Sequence, residues 1–316
     1  MSKHVIVGAG PVGTETARLL LAAGHQVISV TRSGSGPQLD GVQRIAADAS
    51  DQSRLTEIAT GAVALYNCAN PSHYGSWEKV WPRLWSSLLG TAEATGAVLV
   101  SASSLYAYGP VDQVMTEDLP DVATEKNGRI RAGMWAEAKR LHDQGRIRAV
   151  EVRASDYAGA GVGANGHLTR NVPAALQGKA VWFLGDPDQP HSWTDVLDVG
   201  RALVAVADRP DAYGKVWLAP TNPPRSAREA MTDVLAAAGR PMVAMHRVPG
   251  LVVRAGGLVN ADLRQFGVMG YIMRRPYVID SSAIEKELGL APTPWTEVCR
   301  RTADLGLSRP GLPTSL

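Results

Sequence analysis

The chain has 316 residues, 45% of them hydrophobic, enough to bury a large core in one large or two modest domains. A formal net charge of +2 with 20% charged residues argues against the polyanion-binding classes, so no nucleic-acid partner is expected. Cys68 and Cys299 lie far apart with no partners at metal-ligand spacing, so neither a disulfide framework nor a metal site is expected; with no leader pattern and no apolar run of membrane-spanning length, the expectation is a cytoplasmic protein without a membrane partner.

In chain order, the apolar run 5–8 reads as a buried strand that turns through Gly8-Ala9-Gly10-Pro11-Val12-Gly13 into a helical pattern over 12–23, stopping at Gly24. Gly8 would let the chain turn tightly, Gly10 would leave room for a pyrophosphate, and Gly13 would let helix and strand pack closely. The orphan N–H groups of the helix N-terminus then face the phosphates. Further strands are expected at 26–30, 43–46, 62–67, 97–101 and 148–153, with helices at 50–59, 82–95 and 131–144 that each stop at a glycine suited to a left-handed cap. This alternation specifies an α/β chain, a Rossmann-type doubly wound parallel sheet with helices on both faces. Trp77, Trp81 and Trp85 recur every four residues, with Pro82 placing the start of the helix proper at 82; the stripe is read as core or subunit interface.

Beyond 160 the pattern is more mixed, with strands at 181–184, 215–219 and 243–248 and helices at 195–208 and 226–238. Residues 1–160 are therefore expected to form a dinucleotide-binding domain to which 195–220 returns. Residues 161–316 are expected to be mainly a smaller substrate-binding lobe.

In a doubly wound sheet the ligand crosses the carboxyl ends of the strands. After the second strand come Arg32 and Ser33 with no carboxylate before Asp40, which suits the 2′-phosphate of NADP better than the ribose hydroxyls of NAD; the alternative is a solvated loop arginine. Asp48 and Ala49 follow the third strand, where the carboxylate either accepts from an adenine amino group or caps the next helix. Asn67, Cys68 and Ala69 follow the fourth, where small residues would let the adenosine ribose and phosphate pass. Cys68 has no neighbouring lysine or histidine and reads as packing.

The fifth strand leads into Ser101-Ala102-Ser103-Ser104-Leu105-Tyr106-Ala107-Tyr108-Gly109. With the glycine loop before it and the segments 152–159, 190–200, 278–283 and 288–292 after it in that order, the chain resembles the extended short-chain dehydrogenase/reductase family, the NAD-dependent epimerase/dehydratase-like group, in an atypical form. The resemblance implies that Ser104 holds a substrate oxygen. It also implies a tyrosine four residues before a lysine on the next helix, where the ammonium holds the nicotinamide ribose and lowers the phenol's pKa. Lys139 takes the lysine's place, but four residues earlier stands Trp135, whose indole is no general acid near neutral pH. Tyr157 and Asp156 after the sixth strand, or Tyr106 and Tyr108, are then the candidate donors. Ser104, Lys139 and Tyr157 are accordingly expected to be catalytic, with Ser104, Tyr106, Trp135, Asp156 and His191 at the substrate. His191 would meet an anionic substrate group or serve as a structural histidine. The resemblance further allows a homodimer through the helices flanking the fifth strand.

These readings lead to an NADP-dependent oxidoreductase acting on a small or medium carbonyl, alcohol or enone with a non-standard proton donor. The alternatives are an NADP-binding regulator or scaffold without catalysis, and an epimerase, isomerase or lyase with no net redox change.

Overall fold

Val5, Ile6 and Val7 are buried on both sides of the chain, as a strand at the centre of a doubly covered sheet must be. In the computed structural model, which describes residues 1–36, 38–71, 73–259, 264 and 267–307, they belong to β1 (Lys3–Val7). There follow α1 (Pro11–Ala22), β2 (Gln26–Thr31), β3 (Val42–Ala46), α2 (Gln52–Ala59), β4 (Ala62–Asn67), α3 (Trp77–Thr95), β5 (Val98–Ser104), α4 (Lys126–Asp143) and β6 (Arg148–Ala154). The rest comprises β7 (Asp156–Ala158), α5 (Val172–Leu176), β8 (Val181–Phe183), β9 (Trp193–Asp195), α6 (Val196–Ala207), β10 (Val216–Leu218), α7 (Ala227–Ala237), β11 (Met245–Arg247), α8 (Gly250–Val259), α9 (Ser282–Leu288) and α10 (Trp295–Leu307).

Seven strands pair in the order β10-β6-β5-β4-β1-β2-β3, every pairing parallel. The chain order reverses between β1 and β4, which opens a crevice at the carboxyl ends of the strands. One face is covered by α1 and α6, whose Leu20, Val199 and Leu203 pack with Ile6 and Val152; the other is covered by α2, α3 and α4, whose Leu55, Leu88 and Met134 pack with Val5 and Leu99. A third cluster joins α5, α7 and α10 with β8 and residues 269–273, and reaches Leu105 and Tyr108 beside the sheet, so the smaller C-terminal lobe sits over the strand ends.

β5 runs on to Ser104, three residues past the expected end, and two helices start five residues before expectation. α3 starts at Trp77, not at Pro82, so the proline lies inside the helix. Trp77, Trp81 and Trp85 are all buried, and burying three indoles on one face outweighs the single backbone bond lost to the proline. α4 starts at Lys126, five residues before the expected 131, which proves decisive for the site.

Two buried polar knots hold the loops around the strand ends. Arg153 donates to Glu151 at 2.7 Å and, through both terminal nitrogens, to Asp121 at 2.6 and 2.9 Å, pinning the segment between β5 and α4. Asp198 accepts from the Thr293 backbone at 2.7 Å and its hydroxyl at 2.8 Å, tying the segment before α10 to α6.

Candidate functional site

The glycine loop has the geometry its sequence requires. Gly8 has φ 101°, and a Cβ there would lie 2.7 Å from the Cys68 backbone; a Cβ on Gly13 would strike the carbonyl oxygen of Gly8. Gly10 is the N-cap of α1 with Pro11 behind it, and a Cβ at that position would meet nothing within 4 Å, so the space over the helix N-terminus is open. Two glycines are thus demanded by the protein's own packing, and the third borders open space at a helix N-terminus, where a cradle for a pyrophosphate would form. These residues fit a dinucleotide.

Around that cradle, Arg32 and Ser33 are exposed beyond β2, in a turn closed by Thr31 donating to the Ser35 carbonyl at 2.8 Å. Gly36 brings the same loop against Ala9 of the glycine loop. Asp48 is exposed beyond β3 and accepts from the Ser50 backbone at 2.9 Å; the cap of α2 is Asp51, which accepts from Arg54, and Ala49 is buried behind them. Asn67 is buried, with its Oδ1 accepting from the Ala69 backbone at 3.3 Å and its Nδ2 unpartnered. Burial pushes the Cys68 thiol up to about 12, so the residue is inert packing.

At the end of β5 the hydroxyls of Ser101, Ser103 and Ser104 have no partner among the described residues. Ser104 closes the strand and stands next to Tyr106, whose hydroxyl meets that of Tyr74 at 3.0 Å. Tyr108 is fully buried under Arg153, 4.6 Å from its ring centroid, and is part of the packing.

The first turns of α4 pack directly on this strip, since a Cβ on Gly128 would strike the Tyr106 carbonyl oxygen. Asn127 and Arg131, four residues apart, are buried there. Arg131 donates to Asn70 Oδ1 at 2.9 Å and lies 4.8 Å over Trp77 and 4.5 Å over Trp81, while its Nε is unpartnered. Burial pushes its pKa down, opposed by Glu151, Tyr157, Tyr106 and Tyr74.

The assignment of Lys139 is therefore corrected. From Gly128 to Lys139 the helix advances about 16 Å at ~1.5 Å per residue, more than a lysine side chain can bridge. Lys139 is instead 42% exposed and paired with Asp143 at 2.6 Å. Trp135 is half-buried against the cluster beneath α3 and α4, in the later turns of the same helix. The sequence expectation of a lysine passes over Arg131; its signal is the same four-residue helical spacing, with asparagine and arginine at the two positions.

On the other side of the strip, burial pushes the Tyr157 phenol up to about 12, with Arg131 pulling against that shift. Asp156 accepts from His191 at 2.9 Å and lies 3.8 Å from His167. Burial would raise its pKa, but His167, His191 and Arg170 together hold it below the usual carboxylate value. His191 is buried, 4.3 Å from the Trp193 ring and stacked on Tyr277 at 5.4 Å. Its ring is committed to Asp156, which favours the structural alternative. Tyr157 thus feels Arg131 and Asp156 with opposite sign, and Tyr106 feels Asp156, near the ends of β5 and β6.

A model of the NAD dependent epimerase/dehydratase family matches residues 4–218. No curated protein matches the sequence. Among solved structures the chain is similar to a dTDP-glucose 4,6-dehydratase from Bacillus anthracis str. Ames in complex with NAD, at 15% identity, TM-score 0.79 and coverage of 98% of this chain and 97% of that one. It is similar also to a UDP-glucose 4-epimerase from Thermotoga maritima with UDP-glucose, at 15% identity, TM-score 0.79 and coverage of 97% and 99%. A third is a UDP-glucuronic acid 4-epimerase from Bacillus cereus in complex with UDP-4-deoxy-4-fluoro-glucuronic acid and NAD, at 17% identity, TM-score 0.78 and coverage of 97% and 99%. At these identities the structures speak for the fold, whereas the family match covers more than half of the sequence in its own right. With the glycine cradle, the serine strip and the doubly wound sheet in their places, the chain belongs to the NAD dependent epimerase/dehydratase family.

Proposed function

We propose that this protein is an NADP-dependent oxidoreductase of the extended short-chain dehydrogenase/reductase type, acting on a small or medium carbonyl, alcohol or enone with a proton donor outside the usual tyrosine–lysine pair. The observation that carries the reading is the glycine loop leading to a buried Arg131 on α4 and a half-buried Tyr157 just past β6, whose phenol is pulled down by that guanidinium. Gly8, Gly10, Pro11, Val12 and Gly13 would hold the pyrophosphate, Asp48 and Ala49 the adenine side, and Asn67, Cys68 and Ala69 the adenosine ribose. Arg32 and Ser33 would meet the 2′-phosphate, since a guanidinium and a hydroxyl donate to it and no carboxylate there competes.

The nicotinamide, when bound, supplies hydride exchange at its C4. The chain's own residues supply the rest. Ser104 Oγ, without a partner among the described residues, orients the substrate oxygen. Tyr157 stays protonated at neutral pH and donates to that oxygen as negative charge develops on it. Arg131 keeps its charge throughout, so it stabilises the developing phenolate as the family's lysine would. Asp156, an ionised carboxylate held by His191, orients the tyrosine's end of the site and takes no part in the proton transfer.

The test is NADPH oxidation against a panel of carbonyls and enones, with Arg32→Asp as the cofactor probe. A charge-assisted contact of ~1.5–3 kcal/mol predicts a loss of about 10- to 150-fold in NADPH preference over NADH. Turnover equal with both cofactors, and unchanged in the variant, would remove the NADP assignment.

A second reading, favoured by the family match and by neighbours named as epimerases, is hydride removal and return with no net redox change. Substrate deuterium retained in an isomerised product, with no net NADPH consumed, would establish it over the first.

A further inference from the structure

α8 is an inverted amphipathic helix. Leu251, Val252, Leu258 and Val259 are exposed by 77, 57, 82 and 91%, while Gly257 is the residue it buries. At 100° per residue, Leu251, Ala255 and Leu258 fall on one line, with Val252 and Val259 beside it. The exposed side of the helix is therefore a continuous aliphatic face.

Arginines surround it. Arg247, Arg254, Arg264 and Arg274 line a cavity of about 480 Å³ whose other walls include Val248, Val253, Leu258 and Val268. Among the described residues only Asp186 pairs with one of them, Arg247 at 3.7 Å. Between Arg247 and Arg275 the sequence has five arginines and one carboxylate, a formal +4, against +2 for the whole chain. Positive charge is thus concentrated in the segment that carries this exposed aliphatic face. Trp182, exposed by 57%, stands on the small sheet that also carries Arg247.

We propose that α8 and its arginines form a docking surface for an anionic lipid bilayer, with the aliphatic face entering the acyl boundary and the guanidinium groups meeting lipid phosphates. Charge complementarity selects this occupant. The face itself is leucine and valine with no aromatic residue, whereas the energetic centres of protein interfaces are enriched in tryptophan and tyrosine. At ten residues α8 is about 15 Å long, so it lies on a bilayer and cannot cross one, in keeping with no described helix being long and apolar enough to span.

The experiment is vesicle flotation of the full chain with phosphatidylcholine alone and with equal parts phosphatidylcholine and phosphatidylglycerol. Binding is expected to the mixed vesicles, much less to phosphatidylcholine, and to weaken as salt is raised. Arg254→Glu with Arg274→Glu should weaken binding by at least about fivefold per arginine. Leu251→Asp with Leu258→Asp should abolish it while leaving the melting temperature and the affinity for NADPH unchanged, since both side chains are exposed and far in sequence from the glycine loop. The proposal is overturned by absence of vesicle binding, by binding indifferent to lipid charge, or by binding that survives the leucine substitutions. A concentration-dependent dimer broken by those substitutions, without vesicle binding, would assign the face to a second copy. Saturable binding of inorganic pyrophosphate that is lost in the Arg254→Glu, Arg274→Glu variant, without vesicle binding, would overturn the proposal and assign the arginines to a soluble anion. None of these outcomes depends on the reaction proposed above.

Discussion

Arg131 departs most from the family pattern that the sequence resembles. A guanidinium on the faces of two indoles, with one amide as its hydrogen-bond partner among the described residues, is a buried cation held there by π systems and not by a paired carboxylate. Removing it should expose the Tyr157 phenol to burial alone. Arg131→Met is expected to lower kcat for any substrate found by about 100-fold, the lower range of a general-acid contribution. Lys139→Met is expected to leave kcat and NADPH affinity unchanged, because its ammonium is on the surface with Asp143; steady-state kinetics and cofactor titration of both variants check the pair. Arg153 is a different case, a structural cation. Its loss leaves Glu151, 2% exposed, as a buried carboxylate without its partner, and Arg153→Met should destabilise the fold by ~3–5 kcal/mol in denaturant unfolding. Tyr108 would also lose the guanidinium over its ring.

At the scale of single elements, the glycine loop makes two separable demands. Gly13→Ala forces a methyl group into the backbone of Gly8, a contact no side-chain movement relieves, so thermal melting should show severe destabilisation or no folded protein. Gly10→Ala meets nothing in the protein, so it should fold with nearly unchanged stability and instead lose cofactor affinity, measured by NADPH fluorescence titration. Equal effects of the two variants would contradict the assignment of Gly10 to a ligand cradle. α3 shows how packing overrides local grammar. The proline rule puts the helix start at Pro82, but Trp77 and Trp81 precede the buried Trp85 by about two turns and one, and the core draws the helix back to include them. The shift in α4 has a similar origin: its extra first turn seats Gly128 on Tyr106 and turns Asn127 and Arg131 inward.

For the whole molecule, the core sets a pH limit. His4 is buried beside His25 and Tyr66 in the first strand, and burial, with His25 adding to it, pushes its pKa down to about 4. The folded state thus takes up this proton less readily than the unfolded chain, where the value is 6.5. Its contribution to stability is complete above pH 6.5 and is lost progressively as pH falls toward about 4. Asp195, pushed up to about 6 by burial, has the opposite sign: its penalty is relieved as pH falls below 6. His4→Gln should therefore flatten the decline in melting temperature between pH 6.5 and 4 relative to the parent, and an unchanged slope would exclude His4 as its source.

The sequence by itself determined the doubly wound sheet, because a parallel sheet buried on both faces requires unbroken apolar runs and helices that stop at glycine, and both are local patterns. It determined the glycine cradle and the serine strip for the same reason, as each lies within one strand-to-loop transition. What only the tertiary structure decided is which side chains meet across elements. Asp156 and His191 are 35 residues apart and join because β7 pairs with β9. Arg131 enters the site because α4 begins a turn early and packs on the indoles of α3. The exposed face of α8 is invisible to periodicity, since valine occurs both at the half-buried Val253 and at the exposed Val252 and Val259, and only packing shows which of them meet no protein.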